Sequence, residues 1–179
     1  MRRILSICGV HFCTLLRGTT MLNSSDFIAA TSSALSSQVD GDQSILCPSA
    51  QADWEGARVF GVVGGTVKEP RVSYLTEPQP VTKELLDLTS PVVPTEVLRI
   101  AAPCAKSSCQ HFDGMNCQLV SRTIVYLQPV TEKLPPCPVR SSCRWWHEQG
   151  RDACFRCPQV VTDSFTDNEQ VVLAATPDY

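Results

Sequence analysis

The feature that most constrains this chain is a dense group of cysteines in its C-terminal half. Seven of the ten cysteines lie between residues 104 and 157, and polar or charged residues surround most of them, as in CAKSSCQH and CRWWHEQGRDACFRC. Isolated buried cysteines behave as small hydrophobic residues, a role that such polar surroundings do not suit. Metal or cluster ligation and disulfide formation are therefore the two main explanations for this region.

Metal ligation is the favoured explanation. Structural disulfides need an oxidising compartment. The only sign of export is an N-terminal stretch with two arginines and an apolar run, which His11 interrupts and no cleavage site follows. Seven thiols also leave one over, unless Cys8, Cys13 or Cys47 joins the group. These three isolated cysteines are instead expected to pack as small hydrophobic residues.

The clustered residues divide into two predicted ligand sets. The first offers three thiols and an imidazole: Cys104, Cys109, His111 and Cys117. The second offers four thiols: Cys137, Cys143, Cys154 and Cys157. Each set could hold Zn²⁺, but regular zinc ribbons use two CxxC knuckles and this chain has one. Irregular spacing with a Cys-Pro after the last ligand is as typical of a [4Fe–4S] cluster, which is slightly favoured for the second set.

Other roles for residues in this region are weaker. Cys154 and Cys157 form the single CxxC motif, but Pro158 follows directly, whereas a thioredoxin-type motif begins a long helix. His147 lies one helical turn after Cys143, where it suits a hydrogen bond to a ligating sulfur.

Short alternating segments predict an α+β fold. Arg58 to Leu75 contains two β-branched runs that suit paired strands, with Gly61 and its neighbouring glycines at a bulge or bend. Thr82 is expected to cap a short helix, and residues 96–101 to form a strand. We expect a small strand-rich N-terminal half packed on a cysteine-rich, metal-stabilised half of helices and loops.

The helices of the cysteine-rich half are marked by their caps. One is predicted from Asn116 to about Leu127 and another from residues 141–142 to Gln149, with Gly150 just past its end. Trp145 and Trp146 are expected to divide between packing inward and covering the helix.

The length suits one domain with appendages. Residues 1–45 are expected to be disordered or to include a mis-assigned start, with Met21 the preferred start and a short helix at 27–35. Residues 46–163 form the metal-binding domain, with its cysteine cluster at 104–157. Residues 164–179 are an acidic tail, either an edge strand or loose. No apolar run approaches the length of a membrane-spanning helix.

Charge is unevenly distributed along the chain. Residues 104–157 carry a net charge of +3, and the remainder carries −6. Arginines between the later cysteines, with nearby aromatic residues, could form a nucleic-acid surface. Compensation of negatively charged, metal-bound thiolates is the favoured explanation, so a nucleic-acid partner is not expected.

Three segments carry a resemblance to a known family. These are PCPVRSSCRWWHEQGRDACFRCPQVVT, the preceding APCAKSSCQHFDGMNCQL, and FGVVGGTVKEPRVSYL. Together they are similar to small cysteine-rich proteins of phototrophic bacteria, some of which are labelled nitrogen-fixation proteins. The resemblance covers residues 45–163 and implies a cytoplasmic protein connected with iron–sulfur chemistry.

The expected function is therefore metal binding without catalysis. No Ser/His/Asp arrangement or paired-carboxylate motif stands out, and the chain has three histidines, so an enzyme is disfavoured. We expect an iron–sulfur protein that serves a protein partner as an accessory or electron-transfer factor. The alternative is a zinc-stabilised interaction module that binds a protein or nucleic acid.

Overall fold

A computed structural model describes residues 44–66, 69–163 and 168–177. The strands are β1 Leu46–Cys47, β2 Arg58–Gly65, β3 Pro70–Pro80 and β4 Leu98–Pro103. The helices are α1 Lys83–Asp87, α2 Pro94–Val97, α3 Gln118–Tyr126, α4 Arg144–Arg156 and α5 Glu169–Ala175. The predicted α+β class is confirmed, with all four strands in the N-terminal part.

The strands form one antiparallel sheet in the order β1-β4-β2-β3. The predicted pairing of β2 with β3 is confirmed, and a register shift lies between Val59 and Gly61. A Cβ atom at Gly61 would lie 2.7 Å from Cγ1 of Val72, so the close approach of these strands requires glycine. The short β1 matters most for the site, because it pairs Cys47 with Ala102 at the end of β4.

The caps place most helices where the sequence predicted them. The Thr82 side chain caps α1 by accepting a hydrogen bond from a backbone N–H. The predicted strand at 96–101 begins later, at Leu98, because Pro94–Val97 form a helical turn before it. Cys117, not Asn116, is the N-cap of α3. A kink at Gly150, whose φ is 57°, interrupts α4 where the predicted helix was expected to end, and the helix continues beyond it to Arg156.

The C-terminal segment corrects a prediction. Residues 169–175 were expected to be an edge strand or loose, but they form α5. The Asn168 side chain caps this helix by accepting from the N–H groups of Gln170 and Val171. Val171 and Ala174 are buried in the same apolar cluster as α3. Because that burial removes apolar surface from water, part of the predicted tail belongs to the fold.

Three apolar clusters form the core of the described residues, and one of them connects the two halves. One lies among the helices and includes Leu119, Val120, Leu127 and Trp145. A second lies on the sheet and includes Val59, Ile100 and Ala102. The third joins Phe60 and Ala101 of the sheet to Val139, which lies between two cysteines of the second predicted set. This contact anchors that cysteine loop on the sheet.

Two predictions on the N-terminal segment, the helix at 27–35 and the start at Met21, lie outside the described residues. None of the helices in the described part of the chain has the length and apolar character needed to span a membrane.

Candidate metal centres

The eight cysteines in the described residues form no disulfides, and they divide between two pockets. The first pocket contains Cys47, Cys104, Cys109 and Cys117, with His111 also in its wall. The second pocket contains Cys137, Cys143, Cys154 and Cys157. The structure therefore brings together both predicted sets and adds Cys47 to the first. Cys47 is buried, as expected of an isolated cysteine, but it lies among other thiols.

Sheet pairing builds the first pocket. Because Leu46 and Cys47 pair with Pro103 and Ala102, Cys47 lies beside the chain segment that leads into Cys104. Cys117 reaches the same pocket as the residue that precedes α3. Cys104 also lines an open groove, with Trp54 and Glu55, so this side of the pocket is the one nearest solvent.

A turn and the end of α4 build the second pocket. Cys143 directly precedes α4, and a parallel bridge joins it to Leu46 of β1. Cys154 lies in the last turn of α4, and Cys157 begins the 3₁₀ turn that follows. The bridge to Leu46 brings the two pockets next to each other, because Cys47 is the next residue of β1.

The two pockets share a repeated cysteine loop that the sequence analysis missed. Residues 103–109 read PCAKSSC and residues 136–143 read PCPVRSSC. In each, the basic residue and two serines form a 3₁₀ turn, Lys106–Ser108 and Arg140–Ser142. The last cysteine donates its N–H to the carbonyl of the basic residue, at 2.8 Å and 3.1 Å respectively. Both loops therefore present a pair of thiols around a 3₁₀ turn, although Lys106 has a φ of 47° and Arg140 has no positive φ.

Burial raises the pKa of five of these thiols, and neighbouring thiols of the same pocket add to the effect. The five are Cys104, Cys117, Cys137, Cys143 and Cys154. The pKa of Cys117 rises to about 12, with Cys47 and Cys109 contributing. In the second pocket, the pKa of Cys137 rises to about 11, with Cys157 and Cys154 contributing. Deprotonated thiols of one pocket would repel one another, so a bound cation is what would allow them to ionise together.

A buried cation lies against the second pocket. Arg99 of β4 has 1% of its surface exposed, and its Nη2 donates to Sγ of Cys157 at 3.2 Å and to the carbonyl of Pro48 at 3.1 Å. Its Nε and Nη1 are buried and have no hydrogen-bond partner among the described residues. A buried guanidinium is costly unless an anion compensates it. The sulfur of Cys157, as a thiolate, would supply that negative charge.

His111 accepts a hydrogen bond from Arg122 at the first pocket. Its Nδ1 lies 2.8 Å from Nη2 of Arg122, and both side chains are buried. A guanidinium can only donate, so Nδ1 accepts and Nε2 carries the imidazole proton. A neutral imidazole binds a metal through an unprotonated nitrogen, and Arg122 occupies that nitrogen here. With Cys47 present, the pocket has four thiols without a ligand from His111.

The hydrogen bond that the structure gives for the His147 ring goes to a backbone carbonyl and not to the ligating sulfur that the sequence suggested. The His147 side chain is exposed, and its Nε2 lies 2.8 Å from the carbonyl oxygen of Ser141. This contact joins α4 to the repeated loop before it.

Glu148 braces the first pocket from α4. Its Oε2 accepts the backbone N–H of Cys117 at 2.8 Å, and its Oε1 lies 2.7 Å from Nε of Arg144. Arg144 also lies over the ring of Phe112, 4.8 Å from its centroid, and donates to the carbonyl of Met115. The loop that carries Cys117 is thus held to α4 by an ion pair and a charge-assisted hydrogen bond.

Trp145 separates the two pockets and lines both of them. It has 1% of its surface exposed, and its Nε1 is buried with no hydrogen-bond partner in the described part of the chain. The half-buried Trp146 lies under Arg140, whose Cζ is 5.4 Å from the ring centroid. The prediction that one tryptophan packs inward and the other covers the helix is confirmed.

The donor chemistry of both pockets fits a metal or a cluster. Four thiolates are soft ligands that suit zinc or an iron–sulfur cluster. In the described residues, no group of three or more Cys, His, Asp or Glu side chains is close enough to hold a single ion. The spaces that the thiols enclose are small, with volumes of about 10 Å³ and 20 Å³.

Comparisons of the chain with protein-family models, with curated proteins and with solved structures found no match. The assignment of the two pockets therefore depends on the chain's own residues and their geometry.

Proposed function

We propose that this chain binds two metal centres through its eight clustered cysteines and works as an iron–sulfur protein. The first centre is held in the first pocket and the second centre in the second pocket. The observation that carries the proposal is the division of eight thiols, four and four, between adjacent pockets. Its role is that of an accessory or electron-transfer factor for a protein partner.

The arrangement of the thiols supports a cluster rather than a single ion. Zinc thiolates converge at about 2.3 Å from one atom. The ligands of a [4Fe–4S] cluster bind four separate irons, so their sulfur atoms stand around a larger volume. The cysteines here line the walls of two small pockets and do not converge on a single point. When bound, such a cluster supplies one-electron storage.

The adjacency of the pockets supports electron transfer. Cys47 and Cys143 approach through the β1 bridge, and the indole of Trp145 fills the space between the pockets. Two redox centres in adjacent pockets would be placed to exchange electrons within the chain. A purely structural metal site gains nothing from this proximity.

Local charge supports the anionic state that metal-bound thiolates produce. Burial raises the pKa of Cys154, and a hydrogen bond from Arg140 opposes that rise. Arg99 donates to Cys157 in the same pocket. Both cations would stabilise a centre whose thiolate ligands give it net negative charge. Such thiols stay reduced in a compartment like the cytoplasm, where we place the protein.

The test is the composition of the full chain purified without oxygen. We expect brown protein with about eight irons and about eight acid-labile sulfides per chain, as two [4Fe–4S] clusters require. The double variant Cys154→Ser, Cys157→Ser should retain about half of each, because it removes ligands from the second pocket alone. Colourless protein with bound zinc would overturn the electron-transfer role and favour a zinc-stabilised interaction module. Metal-free protein with blocked thiols would overturn both.

A further inference from the structure

We propose that Arg99 and Arg140 link the stability of the fold to the loading of the second centre: they stabilise the loaded chain and destabilise the metal-free chain. This inference rests on the proposed function. Both arginines are positioning residues, because they act through the sulfur atoms of two ligands.

The two arginines contact the two sulfur atoms of the CxxC motif. Nη2 of Arg99 donates to Sγ of Cys157 at 3.2 Å, and the side chain of Arg140 forms a hydrogen bond with the thiol of Cys154. Arg140 also lines the second pocket together with both cysteines. Arg99 belongs to β4 and Arg140 to the 3₁₀ turn before α4, so two distant parts of the fold meet at this motif.

Neither guanidinium has a carboxylate partner in the described part of the chain. Beyond its sulfur contact, Arg99 donates to the carbonyl of Pro48 and is 1% exposed. Arg140 donates to the carbonyl of Pro135 and lies over the ring of Trp146. Carbonyl groups and aromatic rings offer partial charges only. Two positive charges therefore lie beside the second pocket without a full negative charge, an arrangement that costs folding free energy.

Both guanidinium groups also carry N–H donors that lack an acceptor. Nε and Nη1 of Arg99 and Nε of Arg140 are buried and have no hydrogen-bond partner among the described residues. A buried donor without an acceptor loses its hydration and gains nothing in return. Sulfur atoms of a loaded centre accept hydrogen bonds, and a cluster adds sulfides to the four thiolates. Loading would therefore supply acceptors as well as negative charge.

The charge of a loaded centre matches what the two arginines require. Four thiolates around a doubly charged metal ion, or around a cluster core of the same charge, leave two negative charges for the two guanidinium groups to balance. Without a bound cation the four thiols do not all ionise, because their mutual repulsion opposes it. The same two side chains therefore act in opposite directions in the two states, whereas a purely structural residue acts in one direction in both.

The test compares Arg99→Met with the wild-type full chain in both states. In the metal-free state, prepared with a chelator under reducing conditions, we expect a higher melting temperature for Arg99→Met, because an apolar side chain of similar length replaces a buried charge. In the loaded state, purified without oxygen, we expect half of the bound metal, that of the second centre, to be released to a chelator at least tenfold faster. The other half should leave at an unchanged rate.

Three further variants sharpen the comparison. Arg99→Lys keeps the charge, so it should retain the second centre better than Arg99→Met and bring no gain to the metal-free chain. Arg140→Met should accelerate release of the same half of the metal. Arg58→Met, at an exposed arginine of the neighbouring strand, is the matched control and should change neither the melting temperature nor the release.

The outcomes separate the two proposals. A full chain that binds no metal overturns the proposed function together with this inference. A loaded chain for which Arg99→Met lowers the melting temperature in both states overturns the inference alone, because a residue with only a structural role gives that result. Unchanged metal release in both Arg99→Met and Arg140→Met also overturns it. If the metal-free wild-type chain has no thermal transition, the release rates decide, and release from Arg99→Lys as fast as from Arg99→Met contradicts the inference.

Discussion

The assignment of Cys47 to the first centre gives the sharpest prediction for a single residue. Its side chain is 7% exposed, which suits either a packed hydrophobic residue or a ligand. If it only packs, Cys47→Ser costs about 1–2 kcal/mol of folding free energy and leaves metal content unchanged. If it is a ligand, the loss is larger and falls on metal binding, because at such sites the free energy of metal binding also stabilises the fold.

The size of the effect follows from the number of ligands. A four-ligand structural metal site contributes about 10–16 kcal/mol, so one ligand of four corresponds to about 3 kcal/mol. A loss of about 3 kcal/mol of binding free energy weakens metal binding more than a hundredfold. The first centre of Cys47→Ser should therefore empty under mild chelation while the second stays loaded, and bound metal should fall to about half.

The assay is metal content per chain before and after exposure to a chelator, on protein purified without oxygen. Cys47→Ala sharpens the comparison, because a packing role tolerates alanine better than serine, whereas a ligand role is lost equally in both. Cys13→Ser, at a cysteine that belongs to neither set, is the matched control. Full metal content and unchanged chelator resistance in both Cys47 variants would refute the assignment.

Three further predictions concern pH, support of the site, and the sheet. Cys137 and Cys117, with a pKa of about 11 and about 12, are protonated at neutral pH in the metal-free chain, so metal loading must release protons. Metal affinity, measured by competition with a chelator, should therefore rise from about pH 6.5 to 8. A flat pH profile would contradict thiolate ligation. Glu148→Ala should weaken metal affinity at the first centre roughly 10-fold to 100-fold and leave the second centre loaded, as measured by metal content. Asp152→Ala, at an exposed carboxylate of the same helix, is the control. Equal loss of metal from both centres would contradict this supporting role of Glu148. Gly65→Ala should lower the free energy of unfolding by at least about 1 kcal/mol, because φ is +83° there and a Cβ atom would clash with the carbonyl of Glu69. Gly64→Ala is the control, because a Cβ atom there contacts nothing, and its melting temperature should change little. Equal melting temperatures for the two variants would contradict this strain.

Local signals in the sequence were sufficient where local chemistry decides the structure. The Thr82 cap, the kink at Gly150 and the β2–β3 pairing each depend on residues near one another in the chain. The helix α5 was missed although Asn168 is a good N-cap, because a short acidic segment gave no clear periodicity until its apolar residues were seen to pack on α3.

The second pocket was predictable and the first only in part, for a related reason. The cysteines of the second pocket lie within 21 residues of one another, so their spacing shows them as a group. Cys47 is separated from Cys104 by 56 intervening residues, and only the pairing of β1 with β4 brings them together. One numerical signal was present: adding Cys47 to the seven clustered cysteines gives two sets of four. The likeness between the two Pro-Cys…Ser-Ser-Cys loops was a second signal.

The central claim is that the chain carries two separate four-thiolate centres, and native mass spectrometry of the anaerobically purified full chain tests it most directly. The account predicts an intact mass that exceeds the polypeptide by two [4Fe–4S] clusters. It predicts an excess of one cluster in each of two double variants, one carrying Cys104→Ser with Cys109→Ser and the other carrying Cys137→Ser with Cys143→Ser. A mass equal to the polypeptide alone would contradict the claim of two centres. So would a single bound centre that is lost in both double variants.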